Sequence, residues 1–124
     1  MDFSNISSGT GLLVILASRD NMNTSQKIEK TSVERSLAME KIVRITIEPN
    51  NVQDKIQIVE GNSCDPSFNP YLLPGHTADI FICELLDSEL FGECTLPTVC
   101  NIWDRQLCDI ALIVLKRAQV WVGL

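Results

Sequence analysis

Residues 78–93 decide the fold: the apolar run Ala78-Asp79-Ile80-Phe81-Ile82-Cys83 leads straight into Glu84-Leu85-Leu86-Asp87-Ser88-Glu89-Leu90-Phe91-Gly92-Glu93. A near-continuous apolar hexamer is the kind of strand that a parallel sheet buries on both faces. It ends in a carboxylate, Glu84, and the loop beyond it returns a second one, Glu93. Two carboxylates presented from two sides hold a planar cation. The fixed fork of donors on an arginine guanidinium matches them in bidentate fashion.

Working outward, Lys55-Ile56-Gln57-Ile58-Val59-Glu60 alternates as a short strand, and residues 61–77 form a loop with Pro66, Pro70, Pro74 and Gly75. Leu12–Arg19 reads as the first turns of a helix, and residues 20–33 are polar, without period, and expected as a loop. From Glu34 to about Ile47 the three-to-four spacing of Leu37, Ala38, Ile42 and Ile45 predicts an amphipathic helix, although the β-branched cluster 42–47 favours a strand. Pro49-Asn50-Asn51 ends it. Thr98 to about Leu107 is expected as a helix, Ile110–Leu115 is apolar, and Ala118–Val122 alternates like a strand. Helix and strand alternate without repeats or a linker, which predicts one α/β domain on a mostly parallel sheet.

The 124 residues carry a net charge of −6. A direct nucleic-acid partner is not expected, since phosphates need a positive patch; a cationic substrate suits the balance better. Five cysteines occur without C-x-x-C spacing, and His76 is the single histidine. No metal site is therefore expected, and the thiols are read as free in a reducing compartment. The apolar residues 11–17 are too few to span a bilayer and follow no basic segment, so no membrane association is expected. His76 is read as an exposed loop residue, Trp103 and Trp121 as packing residues, and Lys116-Arg117 as a strand-edge charge pair.

Near the N-terminus, Gly9-Thr10-Gly11 precedes an apolar helix, a turn suited to bringing backbone N–H groups against a ligand. The dinucleotide fingerprint fails because position 14 is Val, and a phosphate-binding P-loop fails for want of Gly-Lys-Ser/Thr. What remains resembles the first loop of S-adenosylmethionine enzymes. Together with the paired glutamates, it makes the chain similar to the protein arginine methyltransferases, closest to their monomethylating, type III branch. On their pattern Gly9 and Gly11 match the last two glycines, Ser7 stands at the first glycine and Asn5 at the acid. Glu34 matches the acid that ends the second strand and holds the ribose, and Ser63 and Cys64 fall where the adenine is lined. Glu84 and Glu93, followed by Leu96-Pro97, match the family's double-E loop, with Asp87 and Glu89 as loop-shaping or surface residues. Residues 34–39, 48–50 and 54–56 are similar without a gap, and Arg117-Ala118-Gln119-Val120-Trp121 resembles the first strand of the family's β-barrel.

The resemblance implies a Rossmann-like S-adenosylmethionine-dependent methyltransferase core over residues 1–115 and the start of a barrel domain over 116–124. It implies S-adenosylmethionine as cofactor and Glu84 and Glu93 as the catalytic pair that neutralises and aims a substrate guanidinium. Arginine-containing protein substrates follow: arginine/glycine-rich segments, histones or RNA-binding proteins, in the cytoplasm or nucleus. On the same pattern the cofactor-capping helix would lie before Met1 and most of the barrel beyond Leu124, so a truncated fragment with feeble cofactor affinity and no oligomerisation of its own is expected. The strand before Gly9 is expected to be missing or degraded, and the hydrophobic run before Glu34 lost. A non-catalytic module that binds arginine-rich peptides or a full-length relative is the alternative. Hydrolysis by paired carboxylates is a poorer third, since nothing else organises a water or a sugar.

Overall fold

The computed structural model describes residues 2–19, 28–70, 77–87, 92–114, 117, 119 and 121. Among the described residues there are five strands and three helices: β1 Phe3–Ile6, α1 Leu12–Arg19, β2 Lys30–Glu34, α2 Leu37–Ile47, β3 Ile56–Glu60, β4 Ala78–Cys83, α3 Thr95–Arg105 and β5 Leu107–Val114, with a 3₁₀ turn at Gln53–Lys55. The strands form one sheet in the order β3-β2-β1-β4-β5. Every pairing is parallel. This is the α/β architecture expected of the sequence.

The core has two parts, one on each face of the sheet. Phe3 and Ile56 pack with Val14 and Ile15 of α1 and Val43 and Ile47 of α2. On the other side, Ile6, Val33, Phe81 and Cys83 pack with Leu85 and Ile102 of α3. The period-two alternation of the strands sorts residues between the faces: Phe3 serves the first cluster and Ile6, three positions on, the second.

Two expectations are corrected. The strand before Gly9 is present and central: β1 pairs with β2 on one side and β4 on the other, and all four of its residues are buried. The polar segment before Glu34 ends in strand β2, Lys-Thr-Ser-Val-Glu, buried throughout. Its ladder partners on both sides satisfy the backbone, so the strand forms without a hydrophobic run. Glu34 thus ends β2, as its match to the family's second-strand acid implied, and does not open the helix. That helix, α2, starts at Leu37, where the Ser36 hydroxyl accepts a hydrogen bond from the Met39 N–H at 3.4 Å. Its β-branched Val43 and Ile47 point into the core, and tertiary packing outweighs their strand preference. The third helix begins at Thr95, three residues before the expected start, because Pro97 falls in its first turn, where no intrahelical donor is lost. The segment read as apolar from Ile110 belongs to β5, which starts at Leu107. His76, Glu89, Lys116 and most of the alternating segment 118–122, with the expected start of a barrel, lie outside the described residues.

Candidate functional site

Strand order reverses beside β1: the chain builds β2 and β3 to one side, then crosses to build β4 and β5 on the other. Ligands of open α/β sheets bind beyond the carboxyl ends of the strands at such a switch point. A groove of about 280 Å³ lies there, lined by Ser7 after β1, Glu34 and Arg35 after β2, Asn62, Ser63 and Cys64 after β3, Leu85 after β4, and Glu93 and Cys94 before α3. Its volume is at the lower edge of small-molecule clefts, roughly 300–1,000 Å³.

The β1–α1 loop forms one wall. Ser7 has φ 59°, Gly9 φ 53° and Gly11 φ 84°. The left-handed region suits glycine and strains serine. A side chain on Gly9 would meet nothing within 4 Å, so the backbone there faces open space. On Gly11 a Cβ would come 3.2 Å from Val43 Cγ1, so this glycine lets α2 pack against the start of α1. Glu34 ties the loop to β2: its Oε2 accepts from the Gly9 N–H at 3.2 Å and its Oε1 from the Ser36 N–H at 2.9 Å. Ser8 adds a hydroxyl contact to Ser32 at 2.5 Å and donates to the Val33 carbonyl at 3.1 Å.

The opposite wall rests on α3. Thr98 Oγ1 lies 3.2 Å from both Ser63 Oγ and Cys64 Sγ. Asn101 Nδ2 donates to the carbonyls of Ser63 at 3.0 Å and Asp65 at 3.1 Å. Arg105 donates to the Pro66 carbonyl, and Gln106 to that of Phe68 at 3.3 Å. Positions 98, 101 and 105 recur at helical spacing, so the inward stripe of α3 carries a polar latch for the loop after β3. Thr98, Asn101 and Arg35 were not singled out in the sequence. The spacing was the available signal, hidden because buried polar stripes look like solvated ones.

The segment between the two glutamates is closed at its base. Thr95 Oγ1 donates to the Leu85 carbonyl, and Gly92 N–H to Asp87 Oδ1 at 3.2 Å. A Cβ on Gly92 would lie 1.8 Å from Asp87 Oδ2, so only glycine admits this closure. Asp87 therefore has the loop-shaping place expected of it. Hydrogen bonding with Cys64, then Cys64's charge and burial, push the Cys94 thiol above its ordinary range, against the pull of Arg35. Among the described residues no group of three or more His, Cys, Asp or Glu side chains is placed to hold a metal ion.

Of the residues predicted from sequence, Glu34, Ser63, Cys64 and Glu93 meet in the groove, and Gly9 joins them through Glu34. Gly11 serves packing behind the loop, and Glu84 is exposed just past β4, outside the groove lining.

No family model matches the chain. It is 31% identical over 119 residues to protein arginine N-methyltransferase 7 of Oryza sativa subsp. indica, covering 94% of this chain and 16% of that protein. Over nearly its whole length the chain is thus similar to a stretch of the protein arginine N-methyltransferases. Protein arginine N-methyltransferase 1.6 of Arabidopsis thaliana is likewise 31% identical, over 96% of this chain and 16% of its own length. The chain thus spans about a sixth of the curated relatives it matches. Among solved structures, Arabidopsis thaliana protein arginine methyltransferase 10 superposes with a TM-score of 0.71 at 20% identity, covering 90% of this chain and 29% of that one. The Trypanosoma brucei PRMT1 enzyme–prozyme complex gives 0.71 at 20% identity, covering 90% and 32%. These likenesses show the fold, a Rossmann-like α/β core.

Proposed function

We propose that the chain forms the cofactor-binding core of an S-adenosylmethionine-dependent protein-arginine N-methyltransferase. The observation that carries this is the groove in which the Glu34 carboxylate, fastened to the Gly9 N–H, shares one cleft with Ser63, Cys64 and Glu93. A nucleoside fits this donor set. Glu34 uses one acceptor site on each oxygen for a backbone N–H and keeps further lone pairs for ribose hydroxyls. Gly9 faces open space, and Ser63 and Cys64 line the adenine end. When bound, S-adenosylmethionine supplies a methyl group on a sulfonium. Glu93 in the groove and Glu84 at the end of β4 neutralise a guanidinium, which is always protonated at neutral pH, and aim one nitrogen into the cleft. Holding the reactants in line is the main contribution asked of these residues, and a carboxylate takes the proton that the methylated nitrogen loses. Arginine/glycine-rich segments, histones or RNA-binding proteins are the proposed substrates, in the cytoplasm or nucleus.

The test is radiolabelled methyl transfer to an arginine/glycine-rich peptide by an active form of the protein. Gln at position 84 or 93 keeps the shape, removes the charge and sets NH₂ donors against a group that is all donors. Losing one member of a desolvated charge pair costs about 2–5 kcal/mol, on the order of thirtyfold to several thousandfold in rate. Glu89→Gln is the control, with a much smaller loss expected. Equal losses at all three positions, or activity retained without Glu84, would remove the assignment.

A second reading, a non-catalytic module that binds arginine-rich peptides, is favoured by the strained Ser7 and the uncharged, buried Asn5 at the glycine and acid positions. Calorimetry with S-adenosylhomocysteine separates the two. Feeble binding that Glu34→Ala removes supports the first, and no binding alongside retained peptide affinity supports the second.

A further inference from the structure

From the geometry we infer that Cys64 and Cys94 are a dithiol that closes to a disulfide at the groove and thereby shuts it to a nucleoside ligand. They come from different elements, Cys64 from the loop after β3 and Cys94 from the residue before α3, and both line the groove half-exposed. The Cys64 thiol donates to the Cys94 carbonyl oxygen at 3.9 Å, which sets the two residues side by side. Thr98 holds both: its hydroxyl sits 3.2 Å from Cys64 Sγ, and its N–H donates to the Cys94 carbonyl at 3.1 Å. The other cysteines are placed differently. Cys83 is buried among the residues under α3, Cys100 is exposed, and Cys108 donates to Asp79 at 3.6 Å.

A peroxide supplies the oxidant. The thiolate of Cys64 attacks one peroxide oxygen, an S–O bond forms, the O–O bond breaks, and the departing hydroxide takes up a proton as water. Cys94, whose thiol keeps its proton longer than an ordinary cysteine, then resolves the sulfenic acid: its sulfur attacks, the S–S bond forms, the S–O bond breaks, and the second oxygen leaves as water. Two thiols and one peroxide give one disulfide and two waters, and a dithiol reductant reverses the change. A disulfide needs Cβ atoms within about 3.5–4.5 Å. Bridging takes the Cys64 sulfur off the Thr98 hydroxyl and ties its loop, with neighbouring Ser63, covalently to the residue before α3.

The gating half rests on the cofactor reading above, whereas the bridge itself does not. The chain is treated with stoichiometric hydrogen peroxide, digested after glutamate and arginine, and the linked peptides are fragmented; S-adenosylhomocysteine affinity is measured before oxidation, after it, and after dithiothreitol. The expected result is a Cys64–Cys94 link as the main product and at least a tenfold loss of affinity, restored by reductant and absent in Cys94→Ser. Sulfinic acids without a link, or an equal yield of links to Cys100, overturn the dithiol. A full-yield link with unchanged affinity overturns the gating. A link in a chain that does not bind S-adenosylhomocysteine when reduced leaves the dithiol standing and removes the cofactor reading instead.

Discussion

Strands β1 and β4 lie side by side in the middle of one sheet, yet they differ in how much polar material they bury. β4 buries Ala78, Phe81 and Cys83. β1 and its other neighbour β2 bury Ser4, Asn5, Lys30, Thr31, Ser32 and Glu34. β4 is held by side chains that leave water favourably, whereas β1 and β2 anchor on Phe3, Ile6 and Val33 and their backbone ladder brings polar side chains in beside them. The difference has a cost: Ser4 Oγ and both polar atoms of the Asn5 amide find no hydrogen-bond partner among the described residues, and a buried unsatisfied group costs about 1–3 kcal/mol. The apolar half carries the stability that lets the polar half exist.

Phe81→Ala tests that claim most severely. Phe81 is fully buried in the cluster under α3, and truncating such a residue costs about 3–5 kcal/mol. Urea denaturation should show the midpoint collapse, or no cooperative transition. A loss near 1 kcal/mol would mean that β4 is not the anchor. Asn5→Val probes the other half with the opposite sign: it replaces an unpartnered amide by a β-branched side chain in a central strand, and should stabilise by about 1–3 kcal/mol. An unchanged or lower midpoint would show that Asn5 has partners in solution and that the polar half is satisfied after all.

The same contrast explains what was legible in the sequence. Ala78–Cys83 announced itself by composition, and so did the alternation of Ile56–Glu60 and the helices around them. The pair Phe3–Ile6 and Lys30–Glu34 did not, because hydropathy reads only strands stabilised by their own side chains. Whether two strands will accept a third between them is a property of the sheet, not of the third strand's residues. In the groove, Glu34, Ser63, Cys64 and Glu93 could be named because they match the pattern of the arginine methyltransferases. The latch of Thr98 and Asn101 could not, since an inward polar stripe on α3 has meaning only once the loop it holds is in place.

Two backbone substitutions in the β1–α1 loop sharpen the comparison at smaller scale. Gly11→Ala places a side chain at φ 84° and 3.2 Å from Val43 Cγ1, and should destabilise by about 1–2 kcal/mol. Ser7→Gly relieves a serine held at φ 59°. The gain is partly offset by the greater freedom of glycine in the unfolded chain, leaving a rise of about 0.5–1 kcal/mol. A loss on Ser7→Gly would mean that the serine side chain contributes something in the groove that outweighs its backbone strain.

Asp79 fastens β4 to the residue preceding β1, and its contribution is the one that pH exposes. Its Oδ2 accepts from the Asp2 N–H at 2.6 Å, while the Asp2 carbonyl accepts from the N–H groups of Asp79 at 2.9 Å and Ile80 at 3.1 Å. The Asp2 N–H, above all, holds the carboxyl below its usual range, against a smaller upward push from burial; the Cys108 thiol adds to the lowering. A group with a depressed folded pKa binds its proton more readily when unfolded, so stability rises with pH across the window between the two values. The contribution is fully present above the unfolded value, about 4, and is lost as pH falls through the folded one. Asp79→Asn, which removes the titration, should therefore lower the denaturation midpoint slightly at pH 6, with the gap to the parent chain closing as the pH falls below 4. The carboxylate borders solvent, so this is the smallest of the expected effects and weakens further in salt. A gap that widens toward acid would reverse the sign and show that the tether to β1 depends on the protonated carboxyl, with the charge opposing it.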